Sequence, residues 1–289
     1  MKISEILSRP RPSVSFEVFP PRRDAPMEPV MAAVQEMAKC RPSFMSVTYG
    51  AGGGANANTV QLAEHVQKIC GVTALAHLTC LTSDRAKIAD EISALRRAGI
   101  ENVLCLRGDC PREADEGTLP RDFAYAADLV KAMRPSSFCL GGACYPECHP
   151  ECGHIEDDIG NLKKKVDAGL DFLTTQMFFD NNVYFRYLAR LRNAGITIPV
   201  IAGIMPVANG TQIARICRLS GTVLPPRFKA IVDRFGDDPV SMVSAGVAYA
   251  TEQIIDLFAN GVKAVHVYTM NKPEIAERIT TNLKGIIGE

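Results

Sequence analysis

One phrase, repeated along the chain, constrains this sequence more than any other feature: an amphipathic helix, a glycine, then a short and almost wholly apolar strand. It reads Cys70-Gly71-Val72 before Ala74-Leu75-Ala76-His77-Leu78, and Ala98-Gly99-Ile100 before Val103-Leu104-Cys105-Leu106. It returns at Ala168-Gly169-Leu170, Ala194-Gly195-Ile196 and Asn260-Gly261-Val262. Glycine closes each helix because it enters the left-handed conformation without a Cβ clash. The strand that follows is apolar on both faces, as in a sheet covered on both sides. Strands alternating with helices of this length pair in parallel.

Eight strands are predicted near residues 14–19, 44–49, 74–79, 103–107, 138–145, 172–178, 199–203 and 264–268. Apolar residues recur at helical spacing between them, as in Phe123, Ala127, Val130 and Met133, or Tyr184, Leu188, Leu191 and Ala194. Eight such units in 289 residues suit a closed (β/α)8 TIM barrel, which typically takes roughly 250 residues. A single α/β domain over 1–289 is expected, with an open doubly wound sheet as the structural alternative. The connection between Gly203 and Ala264 departs from the repeat. It holds a predicted helix at 212–219, a Pro225-Pro226 turn, a segment 227–235 and a long helix at 240–260, and is read as a barrel connection enlarged by an extra helix before the eighth strand.

Composition excludes several classes. Apolar residues make up 47%, enough for a large core, while Lys plus Arg and Asp plus Glu balance at 32 each. No overall field therefore draws the chain to nucleic acid or an anionic membrane. Residues 1–13 carry no apolar run of signal-peptide length, and no segment reaches the roughly 18 apolar residues of a membrane span. A cytoplasmic protein is expected. Of the ten cysteines, Cys80, Cys105, Cys139 and Cys217 fall inside predicted core elements, where cysteine behaves as a small hydrophobe.

Barrel active sites lie at the carboxyl ends of the strands, and unusual polar residues collect there. Glu17 stands in Ser15-Phe16-Glu17-Val18-Phe19-Pro20-Pro21-Arg22. Later strands end in Thr48-Tyr49-Gly50-Ala51, His77-Leu78-Thr79, Arg107-Gly108-Asp109 and Tyr145-Pro146-Glu147-Cys148-His149; the sixth carries Gln176, and the eighth ends in Tyr268-Thr269-Met270-Asn271. Singly each has an ordinary explanation. Glu17 could be a paired structural carboxylate, Arg107 with Asp109 a turn-closing ion pair, and His77 a core histidine. Gly52-Gly53-Gly54 fits neither the Walker nor the dinucleotide glycine pattern. The convergence of seven strands on one rim is what points to a site.

The strings SFEVFPPR, FMSVTYGAGG, AHLTC, RGD, YPECHPE, NLKKKVDAG, TTQMFFD, GIMPV and VYTMN resemble the methylenetetrahydrofolate reductase family in order and spacing, from about residue 13 to about residue 283. The resemblance implies a (β/α)8 barrel holding FAD non-covalently. NADH or NADPH would reduce the flavin and leave; methylenetetrahydrofolate would then take the hydride and become methyltetrahydrofolate. By motif, the catalytic residues would be Glu17, as general acid, and Asp109, facing pterin and flavin. The folate would be contacted by Glu17, Asp109, Gln176, Gln212 and Lys272. The flavin would be held by Thr48, Tyr49, Ala51, His77, Arg107, Gly108, Asp109, Tyr145, His149, Asp158, Asn161, Lys164 and Lys165, with Tyr125 and Ala126 matching less closely. Relatives suggest a homo-oligomer.

The chemistry agrees independently. The bridging methylene of the folate becomes a good hydride acceptor once one nitrogen is protonated and the ring opens to an iminium. A carboxylic acid can donate that proton near neutral pH only if burial has raised its pKa, and Glu17 lies in a largely apolar strand. Without the resemblance, Asn161 to Lys165 would read as a solvated helix face.

Some residues depart from the family pattern. Cys144, Cys148 and Cys152, with His149 and His154 interleaved, could hold zinc or an iron–sulfur cluster. Their spacing is not the common C-x-x-C pair, and Tyr145 and His149 are wanted for the flavin, so no metal is assigned. Ile216 stands where bacterial relatives often carry Phe, and Lys272 where they often carry Arg, a point charge in place of a planar fork. The sequence stops before the regulatory extension of larger eukaryotic relatives, so adenosylmethionine control is not expected. Three alternatives stay open: a non-redox folate-binding barrel, a subunit of a larger complex with a different electron donor, and a zinc-dependent barrel methyltransferase.

Overall fold

A computed structural model describes residues 1–21, 25–49, 56–110, 120 and 122–288. Eight parallel strands close on themselves in chain order: β1 (Ser13–Val18), β2 (Met45–Val47), β3 (Ala74–Thr79), β4 (Asn102–Leu106), β5 (Cys139–Cys144), β6 (Phe172–Thr175), β7 (Val200–Ile204) and β8 (Ala264–Tyr268). The helices α1 (Ile3–Leu7), α2 (Glu28–Ala38), α3 (Asn56–Glu64), α4 (Arg85–Arg97), α5 (Ala126–Met133), α6 (Ile155–Asp167) and α7 (Asn181–Asn193) precede β7. After it come α8 (Gly210–Ser220), α9 (Pro226–Phe235), α10 (Pro239–Ala259) and α11 (Pro273–Ile287). The closed barrel expected from the repeat is what forms. The glycines of the phrase take positive φ, from +68° at Gly71 to +121° at Gly169, the conformation that ends a helix without a Cβ penalty.

Alternation along each strand sorts the core into two parts. Phe16, Val18, Met45, Val47, Ala76 and Val103 face the surrounding helices and pack with Val34 and Met37 of α2 and Leu95 of α4. Residues of the other parity face the axis. At the amino end of the barrel Phe44, Leu75, Leu104, Cys139, Phe172, Ile201 and Ala264 form a separate apolar layer. The short α1 caps it with Ile3, Ile6 and Leu7, an element the repeat did not reveal. Asn102, fully buried, anchors this cap: its Oδ1 accepts from Ile3 N–H at 2.8 Å, and its Nδ2 donates to Met1 O at 3.0 Å and Ala74 O at 3.2 Å.

Two expectations need correction. The connection between β7 and β8 is enlarged by two helices rather than one, since 227–235 is itself helical as α9. Pro at its start has no N–H to lose there, and Phe228 anchors it by stacking 5.0 Å from Phe179 and 4.2 Å from Tyr249. The sixth strand also ends at Thr175 rather than near 178. Gln176 still donates its N–H to Cys144 O at 2.7 Å. Beyond it Met177 and Phe179 turn into a satellite apolar cluster with Val207, Ile213, Phe228 and Met242, so burial under α8 to α10 replaces the sheet. Among the described residues, no helix is long and apolar enough to cross a membrane.

Candidate active site

Glu17 faces the barrel axis, because its strand neighbours Phe16 and Val18 face the helix layer. Its carboxyl group is ringed by protein, while 22% of the side chain stays open to the carboxyl-end mouth. Burial raises its pKa from 4.5 to about 7, since the carboxylate loses hydration and gains no cation in return. His77 reaches in from β3 and brings Nε2 to 3.8 Å from Glu17 Oε2. Burial lowers the His77 pKa to about 3, so the imidazole is neutral and the contact is not an ion pair at neutral pH. Among the described residues, His77 Nε2 has no hydrogen-bond partner.

The strand end carrying Glu17 is held from β8. Thr269 Oγ1 donates to Glu17 O at 2.9 Å. Asn271 Nδ2 donates to Phe19 O at 2.8 Å, and Phe19 N–H donates to Asn271 Oδ1 at 2.9 Å. Met270 and Asn271 sit at φ +56° and +55°, a conformation Asn adopts more readily than most residues. These contacts fix the backbone on both sides of Val18, and nothing in the sequence singled out Asn271 for that task.

The rest of the rim divides into two walls. On one, the Tyr49 hydroxyl donates to Glu91 Oε1 at 3.1 Å. Glu91 lies on α4, 4% exposed, and burial pushes its pKa up to about 7. Sequence reasoning passed over it, although a glutamate three after Ile88 and four before Leu95 sits on the apolar face of that helix. Thr48 stands beside Tyr49, half-buried. Gly108 turns the chain at φ +84°, where a Cβ would lie 3.0 Å from Thr79 Cβ. Next to it Arg107 Nη2 lies 2.5 Å from Glu151 Oε1, while Asp109 is exposed.

On the other wall the Tyr145 ring meets His149 edge-on at 4.6 Å, and burial pushes the phenol up to about 12. His149 N–H donates to Asp158 Oδ2 at 3.2 Å. Lys165 turns its ammonium back to Ala143 O, and burial lowers its pKa. Lys164 and Asn161 are exposed on α6 and bond to each other at 3.1 Å. Tyr125 is 66% exposed at the start of α5, beside the buried Ala126. Gln176 is half-buried and accepts from Met177 N–H at 2.9 Å. Gln212 is exposed on α8, and Lys272 is half-buried at the start of α11. The fold thus brings Glu17, His77, Arg107, Gly108, Tyr145 and Gln176 to one end of the barrel and leaves Tyr125, Asn161, Lys164 and Gln212 exposed to solvent. Ala51 lies outside the described residues.

The cysteine run does not gather at one point: Cys148 and Cys152 approach each other, while Cys144 stands apart. Cys144 is 1% exposed and packs in the layer between sheet and helices. The Cys148 thiol donates to Cys152 O and the Cys152 thiol to His154 O, both at 3.5 Å. Among the described residues no group of His, Cys, Asp or Glu has the geometry to hold a metal.

Comparison with known proteins settles the family. The methylenetetrahydrofolate reductase family model matches residues 2–284. The chain belongs to the methylenetetrahydrofolate reductase family. The 5,10-methylenetetrahydrofolate reductases of Pectobacterium carotovorum and Escherichia coli are each 33% identical over 94% of this chain and 90% of their own length. The methylenetetrahydrofolate reductase (NADH) 1 of Arabidopsis thaliana is 32% identical over the whole chain, which spans 51% of it. The chain thus covers about half the length of its plant relatives and nine-tenths of these bacterial ones. Among solved structures, a Clostridium thermocellum protein described as binding two copies of 5-methyl-5,6,7,8-tetrahydrofolic acid shares the fold. Its TM-score is 0.66 at 13% identity, covering 99% of this reductase-family chain and 98% of its own.

Proposed function

We propose that this chain reduces 5,10-methylenetetrahydrofolate to 5-methyltetrahydrofolate, with NADH or NADPH as electron source and FAD as cofactor. Family membership supports the reaction class. The observation that carries the mechanism is an inward-facing carboxyl group 3.8 Å from the buried imidazole of His77, a setting in which burial raises the carboxyl pKa and lowers that of the imidazole.

The residues present suit a flavin. His77 Nε2 is a buried polar atom with no protein partner among the described residues, as expected of a group that meets a ligand. Tyr49, Arg107, Gly108 and Tyr145 would line its binding site. Lys165, with Arg107, would supply the positive charge that a diphosphate needs. When bound, FAD supplies a two-electron carrier able to pass on a hydride.

Glu17 holds the proton the substrate requires. With a pKa near 7, a substantial fraction is protonated at neutral pH, and a general acid works best when its pKa lies near the working pH. Proton transfer from Glu17 to a bridging nitrogen of the folate opens the ring and creates the electrophilic carbon. The Thr269 and Asn271 hydrogen bonds hold the strand so that the carboxyl group need not search for its position. Gln176, Asp109 and Lys272 would orient the folate. The test is Glu17→Gln. The variant should keep bound FAD and nicotinamide oxidation and lose folate reduction by a factor of 100 or more, within the roughly 10²–10⁴ range of general acid catalysis. Folate reduction at the wild-type rate would sink the acid role.

A further inference from the structure

The turn between β5 and α6 brings together two thiols that the mechanism above does not use. Cys148 N–H donates to Tyr145 O at 3.1 Å, and Cys152 N–H donates to His149 O at 2.8 Å, so the chain doubles back between the two cysteines. Cys148 itself stands at φ +76°, a left-handed conformation that is uncommon for a residue with a Cβ and persists only where the surroundings impose it. The Cys148 thiol donates to Cys152 O at 3.5 Å and also meets the Cys152 thiol. Neither cysteine is in a disulfide, and both are partly open to solvent.

Contacts from outside hold this turn in shape. His149 N–H donates to Asp158 Oδ2 of α6 at 3.2 Å, and Glu147 Oε1 accepts from Val223 N–H at 3.1 Å. The end of α8 packs on the turn, since a Cβ on Gly221 would lie 3.6 Å from Pro150 Cγ and 3.8 Å from Cys148 O. Two thiols kept as neighbours by such contacts present each other with a high effective concentration. Burial first, then Asp158 and Cys152, raises the Cys148 pKa. Its thiolate is therefore not stabilised in the reduced pair, and a dithiol without that stabilisation gives up less on closing to a disulfide.

We propose that Cys148 and Cys152 form a redox-active dithiol, a site that closes reversibly to a disulfide by exchange with a low-molecular-weight disulfide. Cys152, as thiolate, attacks one sulfur of the reagent. A sulfur–sulfur bond to the protein forms, the bond within the reagent breaks, and the departing thiolate takes up the proton that Cys152 lost. Cys148, whose thiolate is disfavoured, acts second, where proximity compensates. It loses its proton and attacks Cys152 Sγ, expelling the second reagent thiolate, which takes that proton. Two protein thiols are oxidised by two electrons, and one reagent disulfide is reduced to two thiols. The enclosed segment carries His149, whose ring meets Tyr145 at 4.6 Å, and Glu151, which pairs with Arg107, so the dithiol stands against the rim of the barrel.

Two measurements test the site. The folded protein is equilibrated with oxidised and reduced glutathione at a series of ratios, quenched in acid, alkylated under denaturing conditions and mapped by tandem mass spectrometry. The wild type should carry a Cys148–Cys152 disulfide that dithiothreitol reverses, and Cys148→Ser should stop with glutathione held on Cys152. Wild-type protein that keeps both thiols free at every ratio, retains glutathione on either one, or joins either one to a different cysteine overturns the proposal. Closeness in sequence alone gives some disulfide even in an unfolded chain, so the same equilibrium is measured in denaturing urea. At a given glutathione ratio, the proportion of disulfide to dithiol should be at least about tenfold higher in the folded protein, equivalent to about 1.4 kcal/mol of stability contributed by the bond. Equal proportions in the two states would mean that the fold does not build the site, and would overturn the proposal.

Discussion

If Glu17 is a carboxyl group kept acidic by burial, its ionisation must cost the fold stability, and replacing it with glutamine should recover that cost. Moving its pKa from 4.5 to about 7 corresponds to roughly 3 kcal/mol. The sign follows from proton binding. Between those two values the folded chain holds the proton more tightly than the unfolded one, so this stabilisation is present below about pH 4.5 and is lost as the pH rises through 7. Glu17→Gln stays neutral throughout and carries no such penalty. The variant should therefore melt with the wild type near pH 4.5 and above it at pH 8. The gap should reach roughly 6–12 °C, taking about 2–4 °C per kcal/mol as for chains of 150–250 residues. Differential scanning calorimetry of both proteins across this range is the assay. Melting curves that stay parallel from pH 5 to 9 would mean that the carboxyl ionises at an ordinary value, and the case for Glu17 as the acid would lose its physical basis. The gain in stability should accompany the loss of folate reduction, since a strained functional group is a usual place for that trade.

Other perturbations read other parts of the structure. His77 and His266, each lowered to about 3, must take up protons on unfolding, so their contribution is lost as the pH falls below 6.5. In a Glu17→Gln background, adding His77→Gln should flatten the pH dependence of the unfolding free energy by about 1.4 kcal/mol per pH unit between about pH 6 and 4.5, the slope for one proton; an unchanged slope in denaturant titrations would contradict a neutral, buried ring. Asn271→Gly keeps the positive φ but loses both bonds to Phe19, costing about 1–3 kcal/mol, and Asn271→Ala should cost roughly 1 kcal/mol more from backbone strain; equal losses in urea unfolding would refute the strain component. Gly203→Ala would put a methyl group 2.3 Å from Thr175 O and 2.5 Å from the Tyr268 hydroxyl, and should destabilise by roughly 1–3 kcal/mol or more while disturbing Tyr268; a neutral effect on melting would show that the contact relaxes. Asn102→Ala removes three hydrogen bonds, to Met1, to the start of α1 and to β3, and should expose the Ile3 amide to hydrogen exchange, whereas unchanged protection there would mean apolar packing alone seats the cap.

Local chemistry determined much of this protein before any tertiary contact was known. A glycine after each helix needs nothing but its own missing Cβ, and alternating apolar strands and helices leave parallel pairing as the arrangement that buries both; closure into eight strands followed. The motifs likewise placed Glu17, His77, Arg107 and Tyr145 at the same end of the barrel, because strand ends are legible from the repeat. What the sequence could not carry was anything set by the distance between strands remote in the chain. The pKa of Glu17 depends on what surrounds it, and His77 comes within 3.8 Å from a strand two places away. Glu91 matters through Tyr49, Asn271 through Phe19, and His266 through the hydroxyls of Ser15 and Ser46. Each of these is a polar group whose partner lies far along the chain, and periodicity reports only which face a residue occupies, not which hydrogen-bond donor waits across the barrel.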